Sequence, residues 1–266
     1  MNHFAEIRER LDEYGIDAML LTCEANRFYA SGFHSSGTDG AALVTKERTY
    51  YWTDSRYIEA ARQQVCSAAV EMTTADHGYT AFLNEAVERH GIHTIGFEET
   101  YMTVAELENY RKKVKAEFKG AAKLLEKLRM VKTPEELEAL VGAQRIAERA
   151  LSEICNDIKV GVTEKEIAAK LTYLMLRYGA ENMSFDPIVA SGANGSKPHA
   201  VPTDKPIAAG GIRHDGFRLY LSRLLLRYDA HRRGGTRERG DGQGLPHRAG
   251  RSESGHRRGK GGRPGL

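Results

Sequence analysis

Regular apolar patterning runs along this chain as far as Gly210 and then stops. That break decides how much of the chain can share a packed core. The stretch from Gly211 to Gly235, GIRHDGFRLYLSRLLLRYDAHRRGG, keeps apolar residues but no sustained period of two or 3.6. From Gly234 on the sequence is dense in Gly and Arg with no core-forming run, which predicts disorder. Charge divides at the same place. Residues 211–266 hold fourteen Lys and Arg against five Asp and Glu, which leaves 25 and 31 in residues 1–210. The body is therefore −6 and the tail +9, although the whole chain is only +3.

Before the break, helical and strand patterns alternate. Phe4, Ile7, Leu11 and Tyr14 share a helical face, and Gly15 stands where a helix-ending glycine belongs. Residues 16–22 form a compact apolar strand. Residues 41–44 and 49–53 flank a Lys-Glu-Arg turn and predict a hairpin. Asp54 is positioned to cap a helix carrying Tyr57, Ile58 and Ala61. Residues 79–90 predict a helix that ends before Gly91, 93–98 a strand, and 104–114 another helix. The alternation implies an α/β layer structure around a largely buried sheet.

A second unit begins near Leu128. Thr133, Pro134 and Glu136 make a capping box with proline at the first helical position. Leu137, Leu140, Val141, Ala147, Leu151, Ile154 and Ile158 then line one face. Thr163 and Glu166 repeat the box, and Ile167, Leu171, Leu174, Met175 and Tyr178 line the next helix, which Gly179 ends. Two such helices need a sheet to cover, and residues 185–192 are the candidate strand. If most of that sheet is missing, helices 134–158 and 164–178 expose their apolar faces.

Several classes are excluded on composition. No apolar run approaches a membrane span. The start, MNHFAEIRERLDEYG, has no signal-peptide core. Cys23, Cys66 and Cys155 are odd in number and lack a CxxC spacing, which predicts buried free thiols in a cytoplasmic protein.

Three segments carry a family resemblance: TDSRYIEAA (53–61), LRMVKTPEEL (128–137) and FDPIVASGANGSKPHAVPTDKPI (185–207). Together they resemble the pita-bread metallopeptidases, in the Xaa-Pro aminopeptidase and dipeptidase (prolidase) branch. The resemblance covers roughly residues 1–210. It implies a creatinase-like α/β N-terminal domain at 1–125, the first part of an α+β pita-bread catalytic domain at 128–210, and leaves 211–266 outside the family pattern as a disordered basic tail. It further implies cleavage of peptide bonds next to proline, two divalent metals (Mn or Co), and a homodimer formed through the N-terminal domain. His199, in KPHAVP, matches the family histidine that faces substrate without binding metal.

The family's next segment, with an Asp-Phe-Gly and then a Ser-Asp-x-Thr-Arg-Thr that supply two metal ligands, is not in the chain as written. Codons can be chosen for Gly211 to Arg233 that, read from the second base, spell Gly-Phe-Val-Thr-Met-Asp-Phe-Gly-Cys-Ile-Tyr-Arg-Gly-Tyr-Cys-Ser-Asp-Met-Thr-Arg-Thr-Val. Arg239 to Ala249 can likewise encode Glu-Glu-Met-Val-Lys-Val-Tyr-Arg-Thr-Val-Leu, a candidate next helix. The expectation is a one-base slip near Gly210, a tail read out of frame, no retained metal ligand or cofactor, and a chain inactive as translated.

Other polar residues carry less. Asp186 and Asp204 are expected at turns or strand ends. The identities of His214, Asp215, Asp229 and His231 are accidental on the slip reading. Trp52, Arg56 and Tyr57 belong to core and rim at a hairpin-to-helix junction. Two alternatives stay open. One is a metal-free creatinase-type hydrolase working from His199. The other is a non-enzymatic module that dimerises through its N-terminal domain or binds nucleic acid through its tail. The tail lacks interleaved aromatics after Tyr228, which disfavours the nucleic-acid version.

Overall fold

Strands that are covered on both faces need apolar residues at every position, and this requirement shapes the first half. The computed structural model describes residues 2–183 and 185–208, and the backbone of 212–221 and 224–233. Helix α1 (Phe4–Glu9) and a 3₁₀ turn over Asp12–Tyr14 bury Phe4, Ile7 and Leu11. Gly15 follows at φ 58°, a left-handed conformation that costs glycine little. Then come β1 (Ala18–Leu21), α2 (Glu24–Ser31), β2 (Gly40–Thr45), β3 (Thr49–Thr53), α3 (Ile58–Gln64), β4 (Ala69–Met72), α4 (Tyr79–His90), β5 (Thr94–Phe97), α5 (Val104–Lys113), β6 (Glu117–Gly120) and α6 (Ala122–Met130).

The six strands form one sheet in the order β4-β3-β2-β1-β5-β6. β2 runs antiparallel to both β1 and β3, and the remaining pairs are parallel. Successive residues face opposite sides. Met19, Leu21, Ala42, Val44 and Tyr51 meet α1, α2, α3 and α6 on one side. Ala18, Leu20, Ala41, Leu43, Tyr50 and Trp52 meet α4 and α5 on the other. The expected hairpin at 41–44 and 49–53 is β2–β3, and the expected helix 79–90 is α4.

Three expectations need correcting here. Asp54 does not cap α3; its carboxylate instead accepts from the Arg56 backbone N–H at 2.9 Å and pairs with the Arg56 guanidinium. Cys66 is exposed rather than buried, while Cys23 and Cys155 are partly buried, and all three thiols are free. Elements α2, β4, β6 and α6 were absent from the pattern reading. β4 and β6 are four-residue edge strands, too short to show alternation against their charged residues.

The second unit opens with α7 (Pro134–Ile154) and α8 (Glu164–Arg177), each with a complete capping box. It continues through β7 (Asn182–Met183), β8 (Ile188–Ser191), β9 (Ile212–Leu221) and β10 (Leu224–Arg233). The helix faces are not left bare. Ala143, Ala147, Ala150 and Ile154 of α7 and Ile167, Leu171, Leu174 and Met175 of α8 bury against Val189 and Ile207. Of the expected α7 face, Ala147 and Ile154 are buried and Leu151 and Ile158 pack on the cluster, while Leu137 (51% exposed) and Val141 (57%) lie outside it. Small alanines on the inward stripe let α7 and α8 approach closely.

Residues 212–221 and 224–233, placed by sequence in the disordered tail, have strand backbone. β9 and β10 pair antiparallel along their full length, and β9 also pairs with β8 and β7. Ladder bonds with a neighbouring edge do not require a side-chain period, which is why the pattern did not announce them. The rest of the expected tail, 234–266, lies outside the described residues.

Candidate active site

The segment that carried the family resemblance, 185–207, folds back on the start of α8. β8 delivers Ser191, and a 3₁₀ turn over Gly192–Ser196 reverses the chain. Gly192 takes φ 53°, again the left-handed region. Residues 203–207 then run beside 161–165. Lys165 N–H donates to the Thr203 carbonyl at 3.1 Å, Glu164 N–H to that of Lys205 at 3.2 Å, and Gly161 N–H to that of Ile207 at 3.0 Å.

At the centre of this fold-back is Glu164, the first residue of α8, with no solvent exposure. Its carboxylate accepts from Ser191 N–H (2.7 Å) and Ser191 Oγ (2.8 Å). It also accepts from Asn194 Nδ2 at 3.2 Å to each oxygen, from Thr203 N–H at 3.1 Å and from Thr203 Oγ1 at 2.7 Å. Burial alone pushes this carboxyl up, but the hydrogen bonds from Thr203, Ser191 and Asn194 outweigh it and hold it at about 2. The Ser, Asn and Thr of the resemblance segment are therefore the donors of one buried anion. Sequence reasoning picked out Thr163 and Glu166 but passed over Glu164, because a glutamate in a first helical turn is ordinary.

His199 stands at the outer end of the same segment. Ala200 N–H donates to the Lys197 carbonyl at 3.2 Å, closing a four-residue turn with Pro198 second and His199 third. Proline fixes φ at the position where such turns favour it. His199 is exposed, while the next residue, Ala200, is buried and pins the turn to the body. The imidazole makes no hydrogen bond or ion pair with another described side chain.

The remaining candidates are dispersed. Asp186 is exposed two residues before β8, and Asp204 is an exposed partner of Lys165 at 2.8 Å. His214 and His231 are register partners on β9 and β10, Asp215 is opposite Ala230 and Asp229 opposite Gly216; their side chains lie outside the described residues. Trp52 is a core residue that stacks on Phe82 and donates to Glu71 at 3.0 Å. Arg56 is exposed and bridges Asp39 and Asp54, with Tyr57 beside it. A cleft of about 1060 Å³ opens between the two units, walled by Phe28, Tyr29, His34, Tyr101, Arg129 and Asn182 among others. His199 is not part of it.

Among the described residues, no three His, Cys, Asp or Glu side chains converge in a way that could hold a metal ion. The described donors do not fit a two-metal centre, and no chemical step is derived through one.

Comparison with known proteins places these features. The Creatinase/Prolidase N-terminal domain matches residues 4–131, and metallopeptidase family M24 matches residues 138–214. The chain is 36% identical over 210 residues to the peptidase YqhT of Bacillus subtilis, covering 78% of this chain and 58% of that one. It is 32% identical over 203 residues to an Xaa-Pro dipeptidase of Pyrococcus furiosus, covering 76% and 56%. The chain thus spans under three fifths of either relative. The crystal structure of an X-Pro aminopeptidase from Thermotoga maritima superposes with a TM-score of 0.79 at 30% identity, covering 90% of this chain and 67% of that one.

Proposed function

The chain belongs to metallopeptidase family M24, behind a Creatinase/Prolidase N-terminal domain, and on that premise we propose that it is the front end of a metal-dependent Xaa-Pro aminopeptidase or dipeptidase. On this reading no carboxylates among the described residues hold two metals, and the chain as translated does not hydrolyse peptides alone. The observation that carries the reading is the 185–207 segment: its Ser191, Asn194 and Thr203 close around Glu164 and leave His199 outermost. The family match ends at residue 214, close to where regular patterning ends. We attribute that break to a one-base slip near codon 210.

The family's metals would supply an activated water for attack on a scissile carbonyl, and the described residues of this chain would not hold them. The role of His199 is to donate a hydrogen bond to oxygen that gains charge at that carbonyl, without binding metal. The substrate class is a peptide with proline after the scissile bond. Pairing of two copies through the N-terminal unit and residence in a reducing cytoplasm, where Cys23, Cys66 and Cys155 stay free, belong to the same proposal; the boundary expected between 125 and 128 falls inside α6, which packs on the first sheet, so we set it after that helix.

The purified 266-residue chain, assayed on an Xaa-Pro dipeptide and a longer Xaa-Pro peptide with added Mn, is expected to show no cleavage above blank. Clear Mn-stimulated turnover would overturn the inactive part of the reading. Sequencing the DNA around codon 210 tests the slip separately: codons that cannot spell the family segment one base away refute it.

A further inference from the structure

The donors around Glu164 come from both sides of His199 in sequence. Ser191 and Asn194 precede it, and Thr203 follows it. One carboxylate therefore ties together the entry, the middle and the exit of a loop whose outermost part is Lys197–His199. A second tie runs the same way: Lys205 Nζ donates to the Ser191 carbonyl at 2.7 Å and closes the base. We propose that Glu164 is the positioning residue of this site, holding the 191–203 loop in one closed shape and so fixing where His199 stands. For what His199 acts on, this rests on the Xaa-Pro reading above; the positioning itself rests on geometry.

The chemistry of the donor set favours a held loop over a simple helix start. α8 already has its cap: Thr163 Oγ1 accepts from Glu166 N–H at 3.2 Å, and Glu166 accepts from Thr163 N–H at 2.7 Å. Glu164 satisfies none of the helix's own first-turn donors; every donor to it that the geometry shows comes from the loop. All are neutral amides and hydroxyls, each oriented by its own backbone, so the carboxylate selects a conformation as well as balancing polarity. An acceptor-only group is required. A Gln carboxamide at this place turns an N–H₂ toward backbone N–H or hydroxyl donors, and an Asp is one methylene too short to reach both ends of the loop.

The test is amide hydrogen exchange on the full chain, with the His199 ring resonances recorded in parallel, for the unaltered protein, Glu164→Gln, Glu164→Asp and Asn194→Ala. Positioning predicts that the bonded amides of Ser191, Lys197, Ala200 and Thr203 exchange about tenfold or more faster in Glu164→Gln, while Leu171–Met175 in α8 keep their protection. It also predicts that the His199 signals shift or broaden, with Asn194→Ala showing a smaller change of the same kind. Unchanged His199 signals and loop exchange, or loss of protection confined to α8, would overturn the proposal. Should Glu164→Gln fail to fold, Asn194→Ala decides alone, since it removes one donor and leaves both ends of the loop tied. Neither readout needs catalysis. Turnover by this chain would sink the inactive reading and leave the loop result standing, while an unmoved loop would sink the positioning role alone.

Discussion

Glu164 has no ion-pair partner among the described residues, and the hydrogen bonds from Ser191, Asn194 and Thr203 that favour its charged form give the loop a pH dependence. Its ordinary value is 4.5, and the folded loop holds it at about 2. Because the folded value is the lower one, the unfolded chain takes up the proton first as the medium acidifies. The stabilisation is therefore complete above about pH 4.5 and is lost as pH falls through about 2. Urea midpoints of the unaltered chain and of Glu164→Gln are expected to differ at pH 7 and to converge between pH 4.5 and 2. A gap of constant size from pH 7 to pH 3 would show that the carboxylate's charge is not what matters. The same residue marks the limit of reading the site from sequence. His199 stood out because Pro198 and the surrounding segment carry a recognisable order. Glu164 did not, because its role depends on residues 191–203 returning across the start of α8, a contact between distant parts of the chain with no local pattern.

At the scale of elements, capping chemistry was the most legible feature. Thr103–Glu106, Thr133–Glu136 and Thr163–Glu166 each form a reciprocal box that starts a helix, and the latter two were evident from spacing alone. The face that each helix buries was less legible. α7 buries Ala143, Ala147, Ala150 and Ile154 and leaves Leu137 and Val141, near its start, outside. Thr133 has a further consequence. Its partner Glu136 is buried and lies 3.7 Å from His3, which stacks on Tyr29 with ring centroids 4.1 Å apart. The α7 box therefore sits against the N-terminal unit, whereas the α5 box is exposed. Thr133→Ala is expected to cost about 1–2 kcal/mol, the upper part of the usual range for a lost cap. Thr103→Ala is expected to cost about 0.5–1 kcal/mol. Urea unfolding of the two variants checks the order, and equal losses would mean that the contact with His3 adds nothing.

Across the whole molecule, the two units differ in how their sheets are covered. The six-stranded sheet has helices and a buried cluster on each face, so each central strand is packed twice. Among the described residues the second unit has a single buried cluster, built from α7, α8, β8 and the returning segment at Ile207. Apolar area removed from water is the main favourable term in folding, so the first unit should be the more persistent of the two. The join between them is accessible: Met130 is 76% exposed and Val131 77%, with exposed Lys132 following. His3 and Glu136, 3.7 Å apart, tether the units beside it. Brief trypsin treatment is therefore expected to cut after Arg129 or Lys132 and to leave a resistant fragment close to 1–132, which unfolds in urea in one transition. Recovery of an intact 133–266 fragment with the N-terminal unit digested would reverse that ranking. It would mean that β9 and β10, whose strand backbone the apolar pattern did not foretell, complete a more stable core than their sequence suggests.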